Sequence, residues 1–212
     1  MNILAASTTW FLDLFFPRAC VGCNSVGDWI CSHCQESGVA SCNPRKEGEI
    51  TSLFSLNTRV VREALHNLKY NGITEIATSL IEIVPVEVLR EIIPSGSVLI
   101  PVPSTKSRLR QRGYNQVEVL ATAWAQVTGA TVWLGALERN GKQKTLVGQS
   151  ADERSKSMEG AFTLRKNAHM MYVDRPWILI DDVVTTGSTL KACVDVLRGL
   201  KSDIKLVAIA RA

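Results

Sequence analysis

The sequence predicts an α/β protein whose mostly parallel sheet is flanked by helices, with a small cysteine-bearing module ahead of it. Three observations predict it. Trp177, Ile178, Leu179 and Ile180 run without polar alternation into Asp181 and Asp182, as a strand buried on both faces does where it emerges at a sheet edge. Leu190, Cys193, Val194, Leu197 and Leu200 follow at helical spacing, and Ile204 to Ala210 supplies another strand, which completes a βαβ unit expected to be parallel and right-handed. The cysteines are concentrated early, at 20, 23, 31, 34 and 42, with Cys193 standing apart.

A chain of 212 residues with 46% hydrophobic content can bury one full core and still carry an accessory module. The expected division is 1–48 for an apolar lead-in and the cysteine module, and 49–212 for the α/β domain. The net charge is +4, and Lys106, Arg108, Arg110 and Arg112 alone amount to it, so the remaining basic and acidic residues balance. Such local basicity suits a specific anionic ligand at least as well as general nucleic-acid binding. Apolar runs are short and broken by charge, so no transmembrane span is expected. Residues 1–17 lack a basic start and carry Asp13 within the apolar part, so they read as a segment packed on the protein and not as a signal peptide. A cytoplasmic protein is expected.

Cys20-x2-Cys23-x7-Cys31-x2-Cys34 forms two knuckle-like pairs, each able to offer two thiolates to one tetrahedral Zn²⁺. His33 reads as an exposed neighbour and Cys42 as a free thiol. Asn43 to Glu49 reads as a linker. Val61, Ala64, Leu65 and Leu68 mark a helix from about Thr58 to Tyr70, in which Lys69 is either solvated or reaches an anion. A second helical region from about Ile73 to Leu89 is broken at Pro85.

Ser97 to Val102 is a short buried strand, stiffened at its exit by Pro101 and Pro103. Beyond it Lys106, Arg108, Arg110 and Arg112 recur at intervals of two, so an extended chain would present all four on one side. Val117, Leu120, Ala121 and Trp124 then give a helix a buried face up to Gly129. Ala130 to Leu137 and Ala161 to Leu164 are strand candidates. Between them lies a long polar loop in which Arg139, Lys142, Lys144, Gln149 and Arg154 could close over a polyanion, with a short helix at Ala151 to Met158.

The chemistry gathers at WILIDDVVTTGSTL. Thr185, Thr186, Gly187, Ser188 and Thr189 place hydroxyls and a glycine where a strand turns into a helix N-terminus, an arrangement that binds phosphate. Asp181 and Asp182 would repel that phosphate, but carboxylates accept hydrogen bonds from sugar hydroxyls or hold Mg²⁺. A phosphate beside a polyol suggests a sugar phosphate. A Walker lysine and a GxGxxG motif are both missing.

This stretch resembles the phosphoribosyl-diphosphate (PRPP) signature of type I phosphoribosyltransferases, in which the two acids contact the ribose hydroxyls and the TTGST-type loop holds the 5-phosphate. The cysteine pairs, LKYNG at 68–72, PVPSTKSRLRQRGYNQ at 101–116 and the signature together resemble the ComF/GntX family of competence and DNA-utilisation proteins. That resemblance implies a type I phosphoribosyltransferase-like fold with an N-terminal zinc finger. A third cysteine pair found in many relatives is here reduced to Cys42.

Two functional classes follow. An enzyme would bind PRPP with Mg²⁺: Asp181 and Asp182 would act on the ribose, residues 185–189 on the 5-phosphate, and Ser104, Thr105, Arg108, Arg110, Arg112, Arg139 and Lys144 would serve the diphosphate. Catalysis would then be charge stabilisation without a dedicated nucleophile. A non-catalytic module would instead track single-stranded DNA, with Trp29, Tyr70 and Tyr114 available for base stacking and a competence helicase as a partner.

Overall fold

The computed structural model describes residues 17–37, 41–140, 160–165 and 172–212. In chain order these form α1 (Ser32–Glu36), β1 (Arg45–Glu47), β2 (Ile50–Ser55) and α2 (Arg59–His66), which runs into a π-helical turn (Asn67–Asn71). Next come α3 (Ile76–Glu82), α4 (Val86–Ile92), β3 (Val98–Pro101), α5 (Lys106–Arg112), α6 (Gln116–Thr128) and β4 (Thr131–Val132). The chain closes with β5 (Leu137–Arg139), β6 (Phe162–Leu164), β7 (Trp177–Val184), α7 (Ser188–Leu197) and β8 (Ile204–Arg211).

The expected class is borne out. The main sheet runs β1-β2-β8-β7-β3-β4 and is parallel throughout except for β1, which pairs antiparallel with β2. Strands β5 and β6 make a separate antiparallel hairpin. Along β7 the side chains alternate between two cores: Ile178 and Ile180 pack with the apolar residues of α2, α3, α4 and α6, whereas Trp177 and Leu179 pack with those of α7 and the hairpin. Burial on both faces is what erases polar alternation from the strand.

From β3 the chain passes through α5 and α6 to β4, on one side in the sheet; from β7 it passes through α7 to β8, on the other. The connections that leave neighbouring strands β3 and β7 therefore part in opposite directions at their carboxyl ends. A crevice opens at such a topological switch point, and ligands of open α/β sheets bind there.

Several local expectations are corrected. Lys106 to Arg112 is helical, not extended: Thr105 Oγ1 accepts from Arg108 N at 3.2 Å as an N-cap, the residues are good helix formers, and Gly113 closes the helix at φ 82°. The helix disperses the four cations around its axis. Arg45 to Glu47, expected as linker, is an edge strand with every side chain exposed; an edge protected by charge shows no apolar alternation to read. Ala130 to Leu137 is not one strand, because Gly135 turns the chain at φ 69° and sends β5 into the hairpin. Of the lead-in expected at 1–17, residues 1–16 lie outside the described residues, as do 141–154 of the lid expected at 139–154, Lys144 among them, and the helix expected at 151–158.

Candidate functional site

Two adjoining hollows occupy the carboxyl ends of β3 and β7. The larger, about 120 Å³, is lined by Ser104, Arg108, Gln116, Arg139, Asp181 and Asp182 among others. The smaller, about 30 Å³, is formed by Thr185, Gly187, Ser188 and Thr189 where β7 gives way to α7, and it also reaches Asp181. Gly187 makes the smaller one possible: its φ is 77°, and a Cβ there would stand 2.5 Å from Ile50 Cδ1. Thr186 Oγ1 lies 3.2 Å from Ser188 Oγ and 3.4 Å from Ser188 N, which folds the turn over the start of α7.

The two aspartates have different surroundings. Asp182 is buried, and its Oδ2 accepts from Lys69 Nζ at 2.8 Å and from Gln116 Nε2 at 3.1 Å. Its Oδ1 accepts from Val183 N at 2.6 Å. Gln116 Oε1 in turn accepts from Arg112 Nη1 at 2.7 Å, and the Arg112 guanidinium lies over the Tyr70 ring, 5.1 Å from its centroid. Asp181 is partly open and uses Oδ1 to accept from Asp182 N at 2.8 Å.

These surroundings separate the two acids electrostatically. Burial first, and the charge of Asp182 second, push the Asp181 carboxyl well above the ordinary aspartate range. Burial would do the same to Asp182, but the charge and hydrogen bond of Lys69 and the Gln116 amide outweigh it and hold that carboxyl low. Across the hollow, burial and the neighbouring Arg108 lower the pKa of Arg139.

The structure brings Asp181, Asp182, Ser104, Arg108, Arg139 and Thr189 to the larger hollow, and Thr185, Gly187 and Ser188 to the smaller. Thr105 is not at either; its hydroxyl caps α5. Arg112 supports Gln116 from outside, and Arg110 is exposed on α5. Ser104 is nearly buried, its Oγ 2.9 Å from Asn115 Oδ1 and 3.3 Å from Gln116 Oε1. Of the two readings open for Lys69, the structure takes the one that reaches an anion, the Asp182 carboxylate, while sequence reasoning gave no role to Gln116, the polar link between Asp182 and Arg112; both lie in the segments LKYNG and RGYNQ that carry the family resemblance. Of the three candidate stacking aromatics, Trp29 Nε1 donates to Glu75 Oε2 at 3.2 Å and the Tyr114 hydroxyl donates to Leu68 O, while Tyr70 remains 59% exposed.

The sulfurs of Cys20, Cys23, Cys31 and Cys34 all lie within 4.8 Å of one another. Four thiolates at Zn–S distances of about 2.3 Å sit about 3.8 Å apart in a tetrahedron, so the set fits a structural metal such as zinc. Gly22 N and Cys31 N each donate to Cys20 Sγ at 3.4 Å. The Ser25 hydroxyl and the Cys34 backbone lower Cys31 to about 6, whereas burial and Cys20 push Cys34 up to about 12. Cys42 stands apart, hydrogen-bonded to Leu53 O at 3.6 Å, with burial raising it to about 11. His33 is exposed, as expected.

No family model matches the chain. It is 32% identical over 118 residues to competence protein F of Haemophilus influenzae, across 54% of this chain and 50% of that protein. It is 30% identical over 137 residues to DNA utilization protein YhgH of Shigella flexneri, across 63% of this chain and 59% of that protein. The resemblance to competence and DNA-utilisation proteins is borne out. The match spans only about half the length of the first of these curated relatives and less than two thirds of the second. Among solved structures, a hypoxanthine phosphoribosyltransferase from Staphylococcus aureus is similar with a TM-score of 0.38 and 14% identity, over 69% of this chain and 70% of that one. No helix among the described residues is long and apolar enough to cross a membrane.

Proposed function

We propose that the chain binds PRPP or a related ribose phosphate with Mg²⁺ at the β3–β7 crevice, and that it serves DNA uptake or utilisation. The observation that carries the reading is the position of Asp181, on the boundary between a hollow bearing Arg108 and Arg139 and a hollow made by a helix N-terminus. The helix end takes the 5-phosphate, the carboxylate pair faces the sugar, and the two guanidiniums take the diphosphate. Mg²⁺ when bound would neutralise diphosphate charge, and the open Asp181 carboxylate together with polyphosphate oxygens is a hard-oxygen donor set that suits it. Asp182, held ionised beside Lys69, supplies negative charge beside a cation-like ribose, Asp181 would add its own once a bound cation favours loss of its proton, and the arginines stabilise the departing diphosphate, so a phosphoribosyl transfer needs no nucleophile from the protein. Lys144 and the 139–154 segment belong to the same reading as closing elements.

The two-part division at 48/49, structural zinc at Cys20, Cys23, Cys31 and Cys34, and a cytoplasmic setting complete the proposal. The names of the relatives, competence protein F and DNA utilization protein YhgH, support the DNA context. PRPP at millimolar concentration with Mg²⁺ should raise the thermal midpoint of the wild type, and Asp181→Asn should abolish the rise. An unchanged wild-type midpoint sinks the proposal.

A second reading, a non-catalytic single-stranded DNA module, is favoured by exposed Lys106, Arg108 and Arg110 on α5 together with exposed Tyr70. It requires salt-sensitive binding to oligonucleotides that weakens when Arg108 and Arg110 become alanine. Retained affinity in that variant removes it.

A further inference from the structure

Two of the four clustered cysteines face inward and two outward. Cys20 and Cys34 are buried in the main core, whereas Cys31 is half-buried and Cys23 exposed. The outer two are close neighbours, with Cys23 Sγ 3.5 Å from Cys31 Sγ. A thiolate meets an oxidant according to its access, and a second thiolate beside it turns the first oxidation into a disulfide. From 3.5 Å, the S–S length of about 2.05 Å is a short movement. The inner two are shielded: Cys20 Sγ accepts from Gly22 N and Cys31 N, and Cys34 packs beside Gly22 and Val60 with no room for a further methyl.

The same knuckle brackets the turn that carries Lys69. Ahead of the turn, Cys20, Ile30 and Cys34 share one core with Val60 of α2 and with Leu68 of the turn itself. Behind it, Trp29 Nε1 donates to Glu75 Oε2 at 3.2 Å, directly before α3 begins. The segment from 60 to 75 is thus attached to the knuckle at both ends, and between them Lys69 Nζ stands on Asp182 Oδ2. The buried residues of α7 lie across the sheet, in the second core.

Resting on the reading of the four cysteines as a metal site, we infer that Cys23 and Cys31 form an oxidation site, at which a peroxide expels the metal and loosens the Lys69 turn. The Cys23 thiolate attacks one oxygen of hydrogen peroxide, the O–O bond breaks, hydroxide leaves, and Cys23 becomes a sulfenic acid. The Cys31 thiolate then attacks that sulfur and displaces a second hydroxide, which closes the disulfide. Two thiolates have lost two electrons, and the two hydroxides take up solvent protons as water. Cys20 and Cys34 alone do not hold an ion for which structural sites use four ligands. Without that crosslink the contacts at Val60 and Glu75 are no longer fixed from the knuckle, so the turn between them opens more often. Reduction of the disulfide with zinc present reverses the sequence.

The test treats the full, zinc-loaded chain with hydrogen peroxide. Metal release is followed with a chromogenic chelator, disulfides are mapped by mass spectrometry, and amide hydrogen exchange is compared between residues 67–75 and α7. The expected result is loss of the zinc together with a Cys23–Cys31 disulfide while Cys42 and Cys193 stay reduced. Exchange at 67–75 should quicken by about tenfold or more with α7 unchanged, and reduction in zinc buffer should restore the slow exchange. A disulfide through Cys20 or Cys34 instead, or metal still held when Cys42 is already oxidised, overturns the oxidation site. Exchange that stays slow after release, or that rises equally in α7, overturns the link to the Lys69 turn. Reduced protein that takes up no zinc overturns the metal reading itself and the inference with it.

Discussion

Lys69 Nζ lies 2.8 Å from Asp182 Oδ2, with the two side chains 20% and 10% exposed. The pair joins the turn at the end of α2 to the carboxyl end of β7, and the turn is held on either side of Lys69: the Tyr114 hydroxyl donates to Leu68 O, and Arg112 lies over Tyr70. Removing one member of a pair this deep leaves the other charge without compensation, which costs about 3–5 kcal/mol. Lys69→Met should therefore lose stability of that order in urea denaturation at neutral pH, and adding Asp182→Asn should recover part of it. A single-variant loss below about 1 kcal/mol would mean that solvent screens the pair as it does at a surface.

The opposite sign is expected at Asp181. Burial and the charge of Asp182 raise its folded pKa above the value it has in the unfolded chain. Between those two values the folded state holds a proton that the unfolded state has released, so stability falls as pH rises through that window. Asp181→Asn removes the penalty. Thermal melts should find this variant more stable than wild type at pH 8, with the advantage shrinking toward pH 4; an asparagine protein less stable at both would contradict the assignment. Asp182, held low by Lys69, contributes in the other direction: its stabilisation is present above the ordinary aspartate range and is lost as pH falls through its folded value.

How much of this was legible in the sequence depends on how local the cause is. Trp177 to Ile180 announced a strand because burial on both faces leaves an unbroken apolar run, and Asp181 and Asp182 stood out because nothing in such a run tolerates adjacent charges without a reason. Arg45 to Glu47 left no trace, since an exposed edge strand needs no apolar face. The spacing of Lys106, Arg108, Arg110 and Arg112 fitted an extended chain, yet one capping hydroxyl at Thr105 and a left-handed Gly113 decided for a helix. Gln116, and the partner of Lys69, were hidden for another reason. Both roles arise from Asp182, far along the chain, and a π-helical turn has no one-dimensional period to betray it.

Gly187 is the residue on which the smaller hollow depends. Alanine there would have to adopt φ 77°, which costs an L-residue about 1–2 kcal/mol, and its methyl would also press on Ile50 Cδ1. Gly187→Ala should thus lower stability by about 1–2 kcal/mol through the strain, the flexible end of Ile50 yielding to the methyl, and weaken sugar-phosphate binding as the turn shifts. Because the two effects arise at one atom, affinity should fall even at temperatures where circular dichroism reports a fully folded protein. Undiminished binding by the folded variant would remove the turn from the ligand site.

The four-cysteine knuckle is wedged against the same core that seats α2. A Cβ added at Gly22 would stand 2.6 Å from Cys34 Sγ and 3.1 Å from Val60 Cγ2, so there is no room between the sulfur and the helix. Gly22→Ala must displace one or the other. Since Cys34 is also a member of the sulfur cluster, the substitution should cost about 1–3 kcal/mol by overpacking and weaken metal retention at the same time. Elemental analysis of protein purified under reducing conditions should find one zinc per wild-type chain, lost to chelator at lower concentration from Gly22→Ala than from wild type. Chelation should also lower the thermal midpoint, because metal that binds only the assembled thiolates contributes its binding energy to folding. Wild-type protein purified without any metal, and indifferent to chelator, would reduce the cluster to four packed thiols.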